Sequence, residues 1–354
     1  METDLRSWGF SDWFERQNAE NPRPEFELAR VIAADRDRCL VAGRQGEIPA
    51  ELSGRMLYGA GGSLDYPAVG DWVYVQYYDG DSHAVIYDLF PRKTLLKRKT
   101  AGSKIEYQLI AANVDLAFIV QSLDSNYNPA RMERYQAAVT ESGIEPMVLL
   151  SKSDLPSPEQ VRQKVNEVEK NLELKAVAFS NRSGEGLEQI SDLIAPAGTC
   201  CLLGSSGVGK SSLINRLLGE QRQRTGEIRR DGKGRHSTAR RELIVLHNGG
   251  LLIDTPGMRE LGQIELDRGL LQTFSDIETL ASGCRFSNCA HIREPGCAVL
   301  SAVERGEVSA ARYRSYMKLR KESDYHSRSY LEKRKKDRAF GRMVKQIMNQ
   351  KRSE

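Results

Sequence analysis

Residues 204 to 211 read GSSGVGKS, and they follow SKSD at 151 to 154 instead of preceding it. GSSGVGKS fits GxxxxGK[ST] and sits between the apolar run TCCLL and the helical pattern SSLINRLLG. That context turns the backbone N–H groups of a Gly-rich loop and a helix N-terminus toward phosphate groups. SKSD closes the apolar strand pattern PMVLL with a Lys and an Asp two apart, the arrangement that reads a guanine base. An ordinary GTPase carries the two segments in the opposite order. The inversion therefore predicts a circularly permuted P-loop GTPase domain, an α/β fold in which the same loops surround the nucleotide but the chain enters at a different strand.

Each loop supplies named groups. Gly204, Ser205, Ser206, Gly207, Val208 and Gly209 form the phosphate loop, Lys210 reaches the β- and γ-phosphates, and the Ser211 hydroxyl, with Ser212 beside it, faces Mg²⁺. About forty residues on, GGLLIDTPG ends a short apolar strand at Asp254, which holds Mg²⁺ through water, and places the N–H of Gly257 at the γ-phosphate. In SKSD, Lys152 packs over the base and Asp154 accepts from two guanine N–H donors, with Ser151 and Ser153 completing the loop. The usual motif is NKxD. Ser151 in place of Asn removes an amide that ties this loop to its neighbours, and guanine affinity is the property this puts in question. FSNRSGEGL supplies Ser180 and Asn181, whose backbone N–H is placed to meet guanine O6.

A second chemistry lies downstream. Cys284, Cys289, His291 and Cys297 follow CxxxxCxHxxxxxC, four soft donors within fourteen residues and the ligand count of a closed tetrahedral Zn²⁺ site. With no open coordination position, such a metal staples a small domain and does not catalyse. Cys39, Cys200 and Cys201 lie in apolar context and read as core.

The order SKSD, FSN, GSSGVGKSS, GRHST, DTPG, followed by GCRFSNCAHIREPGC, resembles the ribosome small-subunit-dependent GTPase A (RsgA) family over nearly the whole chain. AANVDLAFIV, NPARMERY and IDTPGMREL extend the likeness beyond the nucleotide loops. The resemblance implies a slow, monomeric GTPase that binds GTP and GDP, is stimulated by the small ribosomal subunit and its rRNA, and acts in late subunit maturation, hydrolysis triggering release. It also implies that the short alternating runs FELARVIAA, DRCLVAG, DWVYVQYY and HAVIYDLF form an OB-fold, where pattern alone gives a small β-barrel.

The expected division is an N-terminal extension (1–24), the barrel (25–95), a basic connector (96–104), the GTPase domain (105–283) and a helical zinc-binding domain with a basic tail (284–354). Tyr58, Trp72, Tyr74, Tyr77 and Tyr78 are candidates for base stacking, although alternate strand positions face the core. Arg92, Lys93, Lys97, Arg98 and Lys99 either meet rRNA phosphates or form a solvated linker. Net charge is +4, but residues 311–354 hold fifteen Lys or Arg against five Asp or Glu, which suggests an anionic partner for the tail. With no apolar run near the ~20 residues of a membrane span, and an acidic, aromatic N-terminus, the expectation is a cytoplasmic protein without membrane contact.

Switch I falls in TGEIRRDGKGRHSTARRE, where Thr238, or Ser237 beside it, is the Mg²⁺ contact. Ras-like enzymes place a water-orienting Gln after the DxxG element, and here that position is Met258, whose thioether cannot position water. Slow intrinsic turnover follows. His236 is the best replacement, and with Lys210 and Thr238 it makes up the catalytic set. Met258 also supports the alternative, an rRNA-binding assembly module whose nucleotide is mainly structural.

Overall fold

The computed structural model describes residues 4–35, 38–99, 107–196, 198–219, 241–254 and 267–321. The chain divides into two compact units, Met1–Ile264 and Glu265–Glu354.

The first unit opens with a 3-10 turn at Leu5–Trp8 and helix α1 (Asp12–Glu20). Aromatic side chains fix this segment in place. Trp8, Phe10 and Phe14 are buried, and Phe10 meets Trp72 edge-on with ring centroids 4.8 Å apart. Strands β1 (Glu27–Asp35), β2 (Arg38–Gly43) and β3 (Gly46–Leu52) follow as an antiparallel meander. After the short helix α2 (Gly54–Gly59) come β4 (Trp72–Tyr78) and β5 (His83–Leu89). β3 pairs in parallel with β5, β5 pairs with β4, and β4 returns to β1, which closes a five-stranded barrel. The period-2 pattern of the strands turns Val31, Val41, Ile48, Val73, Val75 and Ile86 inward. Trp72 and Tyr74, on the opposite face of β4, are buried against Phe10, Phe14, Phe26 and Phe90, which takes both out of the set of stacking candidates. Tyr58 (92% exposed) and Tyr78 (42% exposed) stay on the surface.

Arg92, the first of the five cations assigned to the basic connector, differs from both readings of it. Arg92 forms a two-pronged ion pair with Asp71, Nε to Oδ1 at 2.8 Å and Nη2 to Oδ2 at 2.7 Å, and donates to the carbonyls of Leu64 and Tyr66. Asp71 is fully buried, so Arg92 is a structural counter-ion and neither a phosphate contact nor a solvated side chain. Downstream, β6 (Leu95–Lys99) and β7 (Tyr107–Ala112) form a two-stranded ribbon, with Lys97 over the Tyr107 ring.

Six strands then build the GTPase sheet: β8 (Leu116–Ser122), β9 (Glu145–Ser151), β10 (Ala176–Phe179), β11 (Thr199–Leu203), β12 (Arg241–Val245) and β13 (Leu251–Asp254). Their spatial order is β10-β9-β8-β11-β13-β12, parallel except for β12. The phosphate-loop strand β11 is central, yet three strands precede it in the chain and two follow, so the permutation is visible in the sheet itself. Helices α3 (Pro129–Glu141), α4 (Pro158–Leu172), α5 (Leu187–Leu193) and α6 (Lys210–Leu218) make the returns that parallel strands require. Their starts are written locally. The Asn128 side chain caps α3 ahead of Pro129, and Ser157 with Gln160 forms a capping box ahead of α4.

The barrel is not hung on a linker. β1 pairs antiparallel with β12 at Ala33–Glu242 and Ala34–Arg241, so barrel and GTPase strands share one eleven-stranded sheet. Arg30 of β1 lies buried at this seam. Its guanidinium donates to the carbonyls of Trp8, Gly70 and Asn113 and to the Thr199 hydroxyl at the head of β11, and it lies over the Trp72 ring. Burial pulls its pKa down to about 10, which leaves it charged at neutral pH.

The second unit contains α7 (Asp267–Thr273), α8 (Ser275–Ala281), the Cys-rich segment, α9 (Ala298–Glu304) and a helical run over 310–321. Phe274, Ile277, Val299, Ala302 and Tyr316 form its core. Arg312, one of the cations of the basic stretch, is used internally. It grips both oxygens of Asp276 at 2.8 Å and the Thr273 carbonyl. Among the described residues no helix is long and apolar enough to cross a membrane.

Candidate functional site

The fully buried strand β11 runs into the loop 204–209 and then into α6. Gly204 has φ +154°, and a Cβ there would lie 2.4 Å from the Val120 carbonyl, so the loop can leave the sheet only with glycine at this point. Lys210 Nζ donates to the carbonyls of Gly204 (2.6 Å) and Ser205 (2.7 Å), folded over a Gly-rich loop of the kind whose N–H groups can bind an anion. Ser211 and Ser212 are exposed on the first turn of α6. Asp254 ends β13, the strand beside β11, and so stands next to the phosphate loop.

The base-reading segments converge on the same loop. β9 ends at Ser151, and Lys152 follows with φ +61°, a left-handed kink that redirects the chain. Lys152 Nζ contacts Asp124 Oδ2 at 2.6 Å. That bond, with a second from the Ser122 hydroxyl, pulls the Asp124 pKa down to about 2. The Asp154 carboxylate is exposed and accepts from the buried Ser180 hydroxyl at 2.6 Å, which keeps it below the usual carboxylate range. Ser180 is itself held by the N–H groups of Arg182 and Ser183. The Ser153 N–H donates to the Phe179 carbonyl, joining the two base loops. Ser151 Oγ donates to the Val208 carbonyl (2.5 Å), and Asn181 Nδ2 donates to the Gly209 carbonyl (3.1 Å). SKSD, SN and the phosphate loop, which spread over sixty residues of sequence, thus form one surface.

Three residues escaped the sequence reading. Asp124 anchors Lys152, Asn126 Nδ2 reaches Ser205 Oγ (3.1 Å), and Arg131 Nη1 reaches the same hydroxyl (2.8 Å) and Asn126 Oδ1 (2.9 Å). Their signal was positional. β8 lies beside β11, so polar residues just after β8 fall at the phosphate loop. His236, Ser237, Thr238, Gly257 and Met258 lie outside the described residues.

The second unit gathers the four sulfur and nitrogen donors. One ligand atom from each of Cys284, Cys289, His291 and Cys297 lies within 4.8 Å of the others. Cys284 Sγ is 3.8 Å from Cys297 Sγ, and the two sulfurs are 3.6 and 3.4 Å from His291 Nδ1. Thiolates ~2.3 Å from a tetrahedral ion stand about 3.8 Å apart, so these spacings fit donors around one ion. His291 is buried and adopts φ +60°, and its carbonyl accepts from the Tyr313 hydroxyl at 2.6 Å, which fixes the residue carrying the only nitrogen donor. Glu294 accepts the N–H groups of Ala290, Ile292 and Arg293, and these bonds pull its pKa down to about 2 and shape the loop between the ligands. The donor set can hold a metal.

The family model for RsgA GTPase matches residues 89–264. The small ribosomal subunit biogenesis GTPase RsgA 1 of Bacteroides thetaiotaomicron is 40% identical over 351 residues, 98% of each chain. The corresponding RsgA 2 of Vibrio parahaemolyticus is 39% identical over 98% of this chain and 94% of its own. Among solved structures, YjeQ from Thermotoga maritima superposes with a TM-score of 0.62 at 25% identity, covering 84% of this chain and 98% of that one. YloQ, described as a circularly permuted GTPase, gives 0.60 at 25% identity over 86% and 98%.

Proposed function

The chain belongs to the RsgA GTPase family, and from that membership we propose that it is a GTPase that binds the small ribosomal subunit through rRNA, assists its late maturation, and leaves when GTP is hydrolysed. The observation that carries the guanine reading is the Asp154 carboxylate, held by Ser180 beside loops that are hydrogen-bonded to the phosphate loop. Ser151, Lys152, Ser153, Asp154, Ser180 and Asn181 make the base side. Gly204 through Ser212, with Gly257, make the phosphate side. Ser211, Thr238 and Asp254 would hold Mg²⁺, which would supply charge neutralisation at the phosphates. Lys210 adds a fixed positive charge there, His236 orients the attacking water, and Arg131 with Asn126 holds the phosphate loop from outside through Ser205. The metal of the Cys-rich unit is a structural zinc. The exposed Tyr58 and Tyr78, together with the basic stretch after residue 311, supply the rRNA-facing groups of a monomeric cytoplasmic protein. The proposed domain scheme divides the chain at 24, 95, 104 and 283, whereas the compact units meet at Ile264–Glu265, with α7 and α8 in the second.

The test is GTP and ATP turnover by purified protein, with and without purified small subunits. The expected result is slow basal turnover that rises strongly, for GTP only, when subunits are added. Intact GTP binding with no stimulation supports the other reading, an rRNA-binding module with a structural nucleotide. For the metal, Cys289→Ala is expected to drop zinc from about one ion per chain to near none by atomic absorption, because three donors do not close a tetrahedral site. Full zinc content in that variant overturns the assignment.

A further inference from the structure

Ser151 has one hydroxyl where the base-reading motif ordinarily has a two-donor amide, and the missing amide has to be found elsewhere if the base loop is to stay registered on the phosphate loop. We infer that Asn181 is a positioning residue that supplies it, so that Ser151 and Asn181 together perform the tie that one Asn makes in NKxD. This deepens the guanine reading above and rests on it.

Two adjacent carbonyls of the phosphate loop are engaged from the base side. Ser151 Oγ donates to the carbonyl of Val208 at 2.5 Å, and Asn181 Nδ2 donates to that of Gly209 at 3.1 Å. A serine hydroxyl carries one proton and makes one such bond, whereas a side-chain amide carries two. Ser151 is fully buried and spends its proton on Val208, so a second tie must come from another residue. Asn181 is well placed to give it. It follows β10 and the buried Ser180, and its own carbonyl accepts from Arg216 Nε (3.2 Å) and Nη2 (2.9 Å), which come from α6, the helix that the phosphate loop opens. Asn181 is thus bonded to the loop at Gly209 and to the helix at Arg216, on both sides of Lys210.

Gly209 is shaped to this contact. It has φ +96°, and a Cβ there would stand 2.9 Å from Asn181 Nδ2. Any side chain would push the amide off the carbonyl. Because the same loop that carries Asn181 carries the Ser180 hydroxyl that holds Asp154, the tie fixes the distance between the guanine-reading carboxylate and the phosphate cradle. Losing it loosens both ends of the nucleotide at once, and GDP and GTP suffer alike because neither bond touches the γ-phosphate.

The experiment measures release of GDP carrying a fluorescent ribose label from the full-length chain, chased with unlabelled GDP or ADP. Asn181→Ala is expected to speed release and raise the Kd for GDP and GTP by a similar factor, about tenfold, the worth of one hydrogen bond, while the melting temperature of nucleotide-free protein holds. Ser151→Asn placed in the same chain restores the second donor and is expected to recover most of the loss, which a residue acting by bulk alone does not allow. Ser151 is buried, so a cycle with Ser151→Ala guards against a variant that fails to fold. With both ties gone the rise in Kd is expected to exceed the product of the single effects, because each tie buffers loss of the other. Unchanged release from Asn181→Ala, or single effects that simply multiply, overturns the inference. An unaltered chain that releases the label equally to GDP and ADP instead sinks the guanine reading.

Discussion

Asp154→Asn is expected to reverse base choice: GTP affinity falls by roughly 10²-fold, the upper worth of a bidentate base contact, while xanthosine triphosphate becomes the better ligand. Guanine presents two donors, N1–H and the 2-amino group, and a carboxylate accepts both. An amide accepts one and opposes the other with its own N–H. Xanthine carries a carbonyl where guanine has the amine, so the same amide meets an acceptor. The Ser180 hydroxyl, which donates to Asp154 Oδ1 at 2.6 Å, needs an acceptor in the variant too, so it selects the rotamer with the amide oxygen toward Ser180 and the NH₂ toward the base. Asp154 is exposed, so the melting temperature is expected to hold. Competition titrations with the two triphosphates, alongside a melting curve, check both parts. Equal weakening toward both nucleotides means that Asp154 does not read the base.

Arg30→Leu is expected to cost about 3–5 kcal/mol in the first unit. Leucine fills part of the volume but leaves the buried carbonyls of Trp8 and Asn113 without a donor, each worth ~1–3 kcal/mol when stranded, while Gly70 keeps its bond from the Asn113 amide. The melting temperature should fall by roughly 10 °C for a unit of this size. Arg30→Lys is expected to recover little, since an ammonium cannot serve four acceptors in the plane of a guanidinium or lie flat over Trp72. Because Thr199 heads the strand that ends in the phosphate loop, thermal loss should come with weaker GTP binding at temperatures where the variant is still folded. A variant that melts with the unaltered protein shows that water reaches the seam and replaces the guanidinium.

What could be read from the chain was what lies close together in it. The phosphate loop and the four metal donors are each written within a few residues, and spacing was enough to find them. The barrel emerged from alternation because each strand pairs with near neighbours. Pairings across long stretches were silent. Arg30 meets Thr199 across 169 positions, and Arg92 meets Asp71 through a fold that has first to close, so a buried counter-ion looked like an RNA-facing cation. The same limit explains Ser151. In sequence it is a lost amide, and only the convergence of β9, β10 and β11 shows Asn181 standing beside it.

The seam between β1 and β12 gives this protein an unusual order of completion during its own synthesis. The barrel strands are all present once residue 89 has been made, but Ala33 must wait for Glu242, about 200 residues further along. At translation rates of ~5–20 residues per second the free edge of β1 stands open for roughly 10–40 s, a strand edge seeking a partner before its own has been made. A nascent chain of this kind is vulnerable between those two moments, until β12 arrives to seal the seam.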